Sequence, residues 1–225
     1  MTFSIAARCA RTGQFAVAVT SSSPAVAARC AFARAGVGAV TTQNITDPRL
    51  GPLALDFLAQ GMSAEQTRAA TLALAPHADY RQFTIIDSAG RSAEYSGAKT
   101  LGLHAAATGV DIISAGNLLA NEGVPAAVVR AFTATSPGDD LGTRVMTALQ
   151  AGLAAGGEAG PLRSAGLIIT GDVAWNIADL RVDWHDTPLA ELAGLWTLWQ
   201  PQMRDYVTRA LNPASAPAYG VPGDL

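Results

Sequence analysis

The sequence predicts an α/β chain of the α+β kind, built as a layered sandwich, on three observations. Its first strands arrive as a hairpin, its helices arrive in pairs, and it lacks both the GxGxxG and the GxxxxGK[ST] fingerprints of nucleotide-binding parallel folds. At 225 residues it fits one domain, and 49% hydrophobic against 15% charged residues is enough apolar surface for a large core. Residues 1–212 are expected to form that single domain, with a loosely ordered Pro/Ala/Gly-rich tail over 213–225.

The opening hairpin rests on alternation: Phe3, Ile5 and Ala7, then Phe15, Val17 and Val19 after the turn at Arg11-Thr12-Gly13. Pairing Phe3 with Val19, Ile5 with Val17 and Ala7 with Phe15 keeps the apolar sets on one face and places Thr2 opposite Thr20. The second face then carries Ser4, Ala6, Ala16 and Ala18, small residues that suit a sheet covered on both sides. A third strand is expected over Val37–Asn44. A helix over Pro52–Gln60 stops at Gly61, and Ser63-x-x-Gln66 is a capping box that opens a second helix, Ala64 to about Ala75. Short strands follow at Gln82–Asp87 and Arg91–Ser96, and another near Val110–Leu118. The second helical pair spans about Pro125–Thr135 and Asp139–Ala155. Strands return at Ser164–Thr170 and near Ala178–Asp183, and a last helix from Pro188 to about Leu211 is expected to kink at Pro201.

Several function classes are excluded by composition. The formal charge is −3 and no basic block appears, so nucleic acid is not an expected partner. No apolar run approaches the ~20 residues of a membrane helix, and MTFSIAAR lacks the pattern of a signal peptide. A cytoplasmic protein is expected, with Cys9 and Cys30 as buried thiols. The last helix carries Leu192, Leu195, Trp196 and Trp199 at helical spacing, a stripe that suits a core and leaves a homodimer as a hypothesis.

A series of short motifs resembles the bacterial DUF1028 family, an uncharacterised family with an N-terminal-nucleophile (Ntn) hydrolase-like fold. They are Thr2-Phe3-Ser4-Ile5, Thr12-Gly13, Ala33 to Val40 with Thr42-Gln43, Gly51-Pro52, Asp87-x-x-Gly90 with Ser96-Gly97-Ala98, Gly116-Asn117, and Asp179 to Asp183 with His185. One departure is Cys9-Ala10-Arg11, where the family is expected to carry an Asp-Pro-rich turn. The resemblance implies a four-layer αββα sandwich, which agrees with the element order.

It also points to a reaction. An Ntn hydrolase uses the first residue of its first strand as nucleophile and that residue's own α-amine as base. Here that residue is Thr2, provided Met1 is removed. By resemblance to proteasome-like members, Arg34 falls near the place of a cation beside the nucleophile; it would depress the amine's pKa or hold a substrate carboxylate. Asn117 after Gly116 would donate to the oxyanion. Thr20 and Ser21 follow from the register as neighbours of Thr2, and Gln43 and Asn44 are further substrate-binding candidates. Asp183-Trp184-His185-Asp186 reads as a structural His–Asp contact, and His77 and His104 lie in no metal-ligand spacing. The expectation is an amidohydrolase acting on a small amide or N-acyl metabolite with no metal or organic cofactor. The alternatives are a catalytically silent metabolite-binding protein and an assembly protein.

Overall fold

The computed structural model describes residues 2–223. The opening hairpin is β1 (Thr2–Arg8) and β2 (Phe15–Ser21), and one helical turn, α1 (Ala27–Cys30), leads to β3 (Ala31–Arg34) and β4 (Gly38–Asn44). A helical pair follows, α2 (Leu50–Ala59) and α3 (Ala64–Leu74), then β5 (Arg81–Asp87), β6 (Ser92–Ser96), β7 (Ala105–Gly109) and β8 (Ile112–Asn117). The second pair is α4 (Val124–Ala134) and α5 (Leu141–Ala154). β9 (Ser164–Thr170), β10 (Asn176–Val182), α6 (Pro188–Trp199) and α7 (Met203–Leu211) complete the order.

Two antiparallel sheets result, β10-β9-β2-β1-β8-β7 and β3-β4-β5-β6. They stack through Phe15, Val17, Val19, Ile113 and Ile168 of the first against Ala31, Ala39 and Ile86 of the second. The six-stranded sheet buries Phe3, Ile5, Leu167 and Ile169 against Val128, Phe132, Val145 and Leu149 of α4 and α5. Across the molecule, Val40, Phe83 and Ile85 pack beneath Ala54, Leu55 and Leu58 of α2. This is a four-layer αββα sandwich, in agreement with the element order.

The hairpin register lies one residue from the predicted one. Phe3 pairs with Thr20, Ile5 with Ala18 and Ala7 with Ala16, which places Phe3 and Phe15 on opposite faces. Hydrophobic alternation selects a register only when one face is wet. Here both faces are dry, so Phe3 and Ile5 turn outward to the helices while Phe15, Val17 and Val19 turn inward to the second sheet. Thr20 therefore lies on the helix side with Phe3, and its hydroxyl donates to the Ser164 carbonyl at 2.9 Å.

Other differences are local. β3 and α1 occupy a stretch without strong periodicity, and the single strand expected near Val110–Leu118 is the second half of the β7–β8 hairpin, turned at Asp111 with φ 59°. The last helix breaks around Pro201 into α6 and α7. Leu192 and Trp196 of its stripe are buried, and the Trp199 indole donates to the Ile177 carbonyl at 2.9 Å, so these three residues of the stripe belong to the core. Gly142 of α5 lets this layer close, since a Cβ there would fall on the Trp196 ring. In the tail, Tyr219 lies under the Arg209 guanidinium, 4.0 Å from its ring centroid; Asp224 and Leu225 lie outside the described residues. Among the described residues, no helix is long and apolar enough to cross a membrane.

The capping box at the start of α3 is complete: Ser63 Oγ accepts from the Gln66 N–H at 3.2 Å and Gln66 Oε1 accepts from the Ser63 N–H at 2.9 Å. Ser63→Ala is expected to cost about 1 kcal/mol, read as a lowered urea midpoint with an unchanged m-value.

Candidate active site

Thr2 opens β1, a strand flanked by β2 and β8 in the middle of the six-stranded sheet. Alternation puts Thr2, Ser4 and Ala6 on one face. Ser4 identifies that face as the one between the sheets, because its hydroxyl reaches Gln43 Oε1 on β4 at 2.7 Å. Thr2 is 6% exposed, and its hydroxyl donates to Ser21 Oγ at 3.3 Å. Ser21 Oγ is 2.8 Å from Ser23 Oγ and accepts the Ser23 N–H at 3.1 Å. The Arg29 guanidinium donates to Ser23 Oγ at 2.6 Å and is fixed by the carbonyls of Pro24 and Ala25. A chain of hydroxyls thus joins Thr2 to a cation held in place from three sides.

On its other flank Thr2 pairs with Asn117 of β8. The Asn117 amide donates to Gln82 Oε1 at 3.0 Å, and Gln43 Nε2 donates to the same oxygen at 2.8 Å. Gln82 Nε2 in turn donates to the Gly116 carbonyl and to Ser96 Oγ, each at 3.0 Å. Gln82 is completely buried and ties β4, β5, β6 and β8 together at the Thr2 end through these bonds. A buried network of this kind is rigid only while each member keeps its partners. One atom does not: Asn117 Oδ1 is buried with no hydrogen-bond partner among the described residues.

The structure therefore gathers Thr2, Ser21 and Asn117 directly, and Gln43 through Ser4 and Gln82. Thr20 is not among them, for the register reason above. Arg34 is a second correction. It pairs with Gly38 at the far end of β4 from Gln43, ~17 Å away at strand rise. Its guanidinium makes an exposed ion pair with Asp56 of α2 at 2.8 Å. The cause is β3: the chain before β4 forms its own strand, and Arg34 ends up beside the turn. Asn44, at φ 71°, ties the end of β4 to loops by donating to the Tyr80 carbonyl and accepting the Leu101 N–H. His185 accepts from the Thr187 N–H while Asp186 pairs with Arg163, so the expected His–Asp contact is absent among the described residues. Met1, whose removal the expected role of Thr2 requires, lies outside the described residues.

Sequence reasoning missed Gln82, Arg29 and Glu158. Arg29 stands 27 places after Thr2, ahead of the first strand of the second sheet, and unlike Arg34 it is joined to Thr2 through hydroxyls. Glu158 carries no local signal, being a lone acid in the glycine-rich run Gly156-Gly157-Glu158-Ala159-Gly160. It is 6% exposed, and Oε2 accepts the Ser22 N–H at 3.2 Å. Burial pushes its pKa up to about 7.

The family model for DUF1028, a family of unknown function, matches residues 2–192, a span that includes every residue of this site. The chain belongs to the DUF1028 family. A DUF1028 protein from Silicibacter pomeroyi, known from its crystal structure, shares the fold with a TM-score of 0.82 and 25% identity, over 91% of this chain and 89% of that one. Anbu, an ancestral beta-subunit from Yersinia bercovieri, aligns at a TM-score of 0.41 and 12% identity, over 91% of this chain and 97% of Anbu. No curated protein matches this DUF1028 chain.

Proposed function

We propose that the chain is an N-terminal-nucleophile amidohydrolase acting on a small amide or N-acyl metabolite. The observation that carries this reading is the placement of Thr2: a hydroxyl at the start of a central strand, buried between two sheets and joined through Ser21 and Ser23 to Arg29. With Met1 removed, the Thr2 α-amine, of ordinary pKa about 7.7–8.0, accepts the proton of its own hydroxyl as Oγ1 attacks the substrate carbonyl. The oxyanion needs a donor, and Asn117, opposite Thr2, has one amide hydrogen left beside the one given to Gln82. The ammonium then protonates the leaving amine, and water hydrolyses the acyl ester to restore the hydroxyl. Ser21, Gln43 and Asn44 remain candidate substrate contacts, and a cytoplasmic homodimer belongs to the same reading.

A catalytically silent, metabolite-binding relative is the second reading, favoured by the depth of Thr2 at 6% exposure. The intact mass of protein purified from its native host separates the two. A mass short by one methionine, with a hydroxylamine-labile acetyl group on the N-terminal peptide after treatment with p-nitrophenyl acetate, supports the nucleophile. A retained Met1 removes the base and leaves the binding protein.

A further inference from the structure

We propose that Glu158 receives the Thr2 α-ammonium group and sets the pH at which that amine becomes a base. The inference rests on the nucleophile reading and adds the residue that governs its base.

The argument begins with the track of β1. Past β8, the N–H groups of Leu118 and Leu119 donate to the carbonyls of Leu101 and Leu103, which occupies the edge facing β7. The opposite edge belongs to β1 up to the pair Thr2–Asn117. Beyond that pair the same edge is taken by residues 157–159. Ala159 N–H donates to the Leu118 carbonyl, Ala120 N–H donates to the Gly157 carbonyl, and Glu158 bridges antiparallel to Leu119. Glu158 thus lies beyond Thr2 on the edge that β1 occupies, past the left-handed turn of the chain at Leu118, φ 50°. Its carboxylate reaches from that edge to the Ser22 N–H, just past the end of β2. It closes the end of the track on which the Thr2 nitrogen lies.

A second observation points to a missing donor. Glu158 Oε1 is buried and without a hydrogen-bond partner among the described residues. A desolvated carboxylate oxygen in that state is costly, and an ammonium group supplies both the hydrogen bond and the charge it lacks. The other charges around it are occupied. Asp186, across the adjoining cavity of about 380 Å³, pairs with Arg163. Arg29 is bound to Ser23 and two carbonyls, and His185 turns to Thr187 and Glu191.

The test uses the full mature chain. Reductive ¹³C-methylation labels the α-amine and Lys99, the single lysine, and NMR follows both against pH. The α-amine midpoint in wild type is expected to stand above that in Glu158→Gln by roughly one to three units, with Lys99 the same in both. Equal α-amine midpoints on a Thr2 terminus overturn the Glu158 assignment and leave the nucleophile untouched. Met1 on the terminus overturns the nucleophile and, with it, this inference. Should Glu158→Gln fail to fold, ¹³C-carboxyl glutamate in wild type gives the same answer. A Glu158 carboxyl and an α-amine that titrate as a coupled pair support the assignment, and two independent single-step curves overturn it.

Discussion

Thr2→Ala is expected to lower kcat at least ~10⁴-fold on any N-acyl substrate the protein turns over, while Thr2→Ser retains part of the rate. The variant keeps the α-amine, so it removes the attacking oxygen and nothing else from the reaction. The fold should survive. Thr2 sits at the end of β1, and the side-chain contact to Ser21 Oγ at 3.3 Å that the variant gives up is worth about 1 kcal/mol. The strand itself is fixed by Phe3 and Ile5, both fully buried, and by pairing on both edges. Single-turnover kinetics with a chromogenic N-acyl substrate, alongside urea unfolding, checks both halves. Turnover unchanged in Thr2→Ala would remove the nucleophile while leaving the family and fold as they are.

A layered sandwich was legible in the sequence because hairpins and paired helices are local signals, and the αββα order of its layers came from the family resemblance. The capping box at Ser63, the stop at Gly61 and the alternation of β2 are each read from a few neighbouring residues. Registers and long-range contacts are not local. The slip between β1 and β2 came from applying a one-wet-face rule to a sheet with two dry faces, and it misplaced Thr20 alone among the proposed neighbours of Thr2. Arg34 was misplaced because β3, four residues long, carries too little periodicity to separate it from the run that follows. Gln82 and Glu158 lie 80 and 156 positions from Thr2. Their importance comes from a sheet stacked on a sheet, and from a loop continuing the track of a strand. Neither arrangement leaves a trace in spacing. Asn117 was found because a Gly-Asn pair ending a strand is itself a local pattern, and its pairing with Thr2 is the long-range fact that gives it meaning.

Glu158→Gln is expected to make the protein more stable at alkaline pH, by up to about 3 kcal/mol at pH 8 less the attraction to the α-ammonium that the variant also removes, with little change at pH 4. Burial raises the Glu158 pKa to about 7, against about 4.3 in the unfolded chain. The folded protein then binds that proton more tightly than the unfolded one. Stability is fully present below the unfolded value and falls as pH rises through about 7, at a slope set by the extra proton held in the folded state. Glutamine occupies the same volume, keeps an acceptor for the Ser22 N–H and carries no charge to desolvate, so the decline should flatten. Urea midpoints at pH 4 and pH 8 for both proteins measure it. A gain of equal size at both pH values would mean that the variant acts by packing and that the carboxylate charge carries no cost in the fold. A gain confined to pH 8 identifies a charge the fold would be more stable without. Residues that lower stability persist where a site uses them, and the place of Glu158 at the end of the β1 track gives that charge a use.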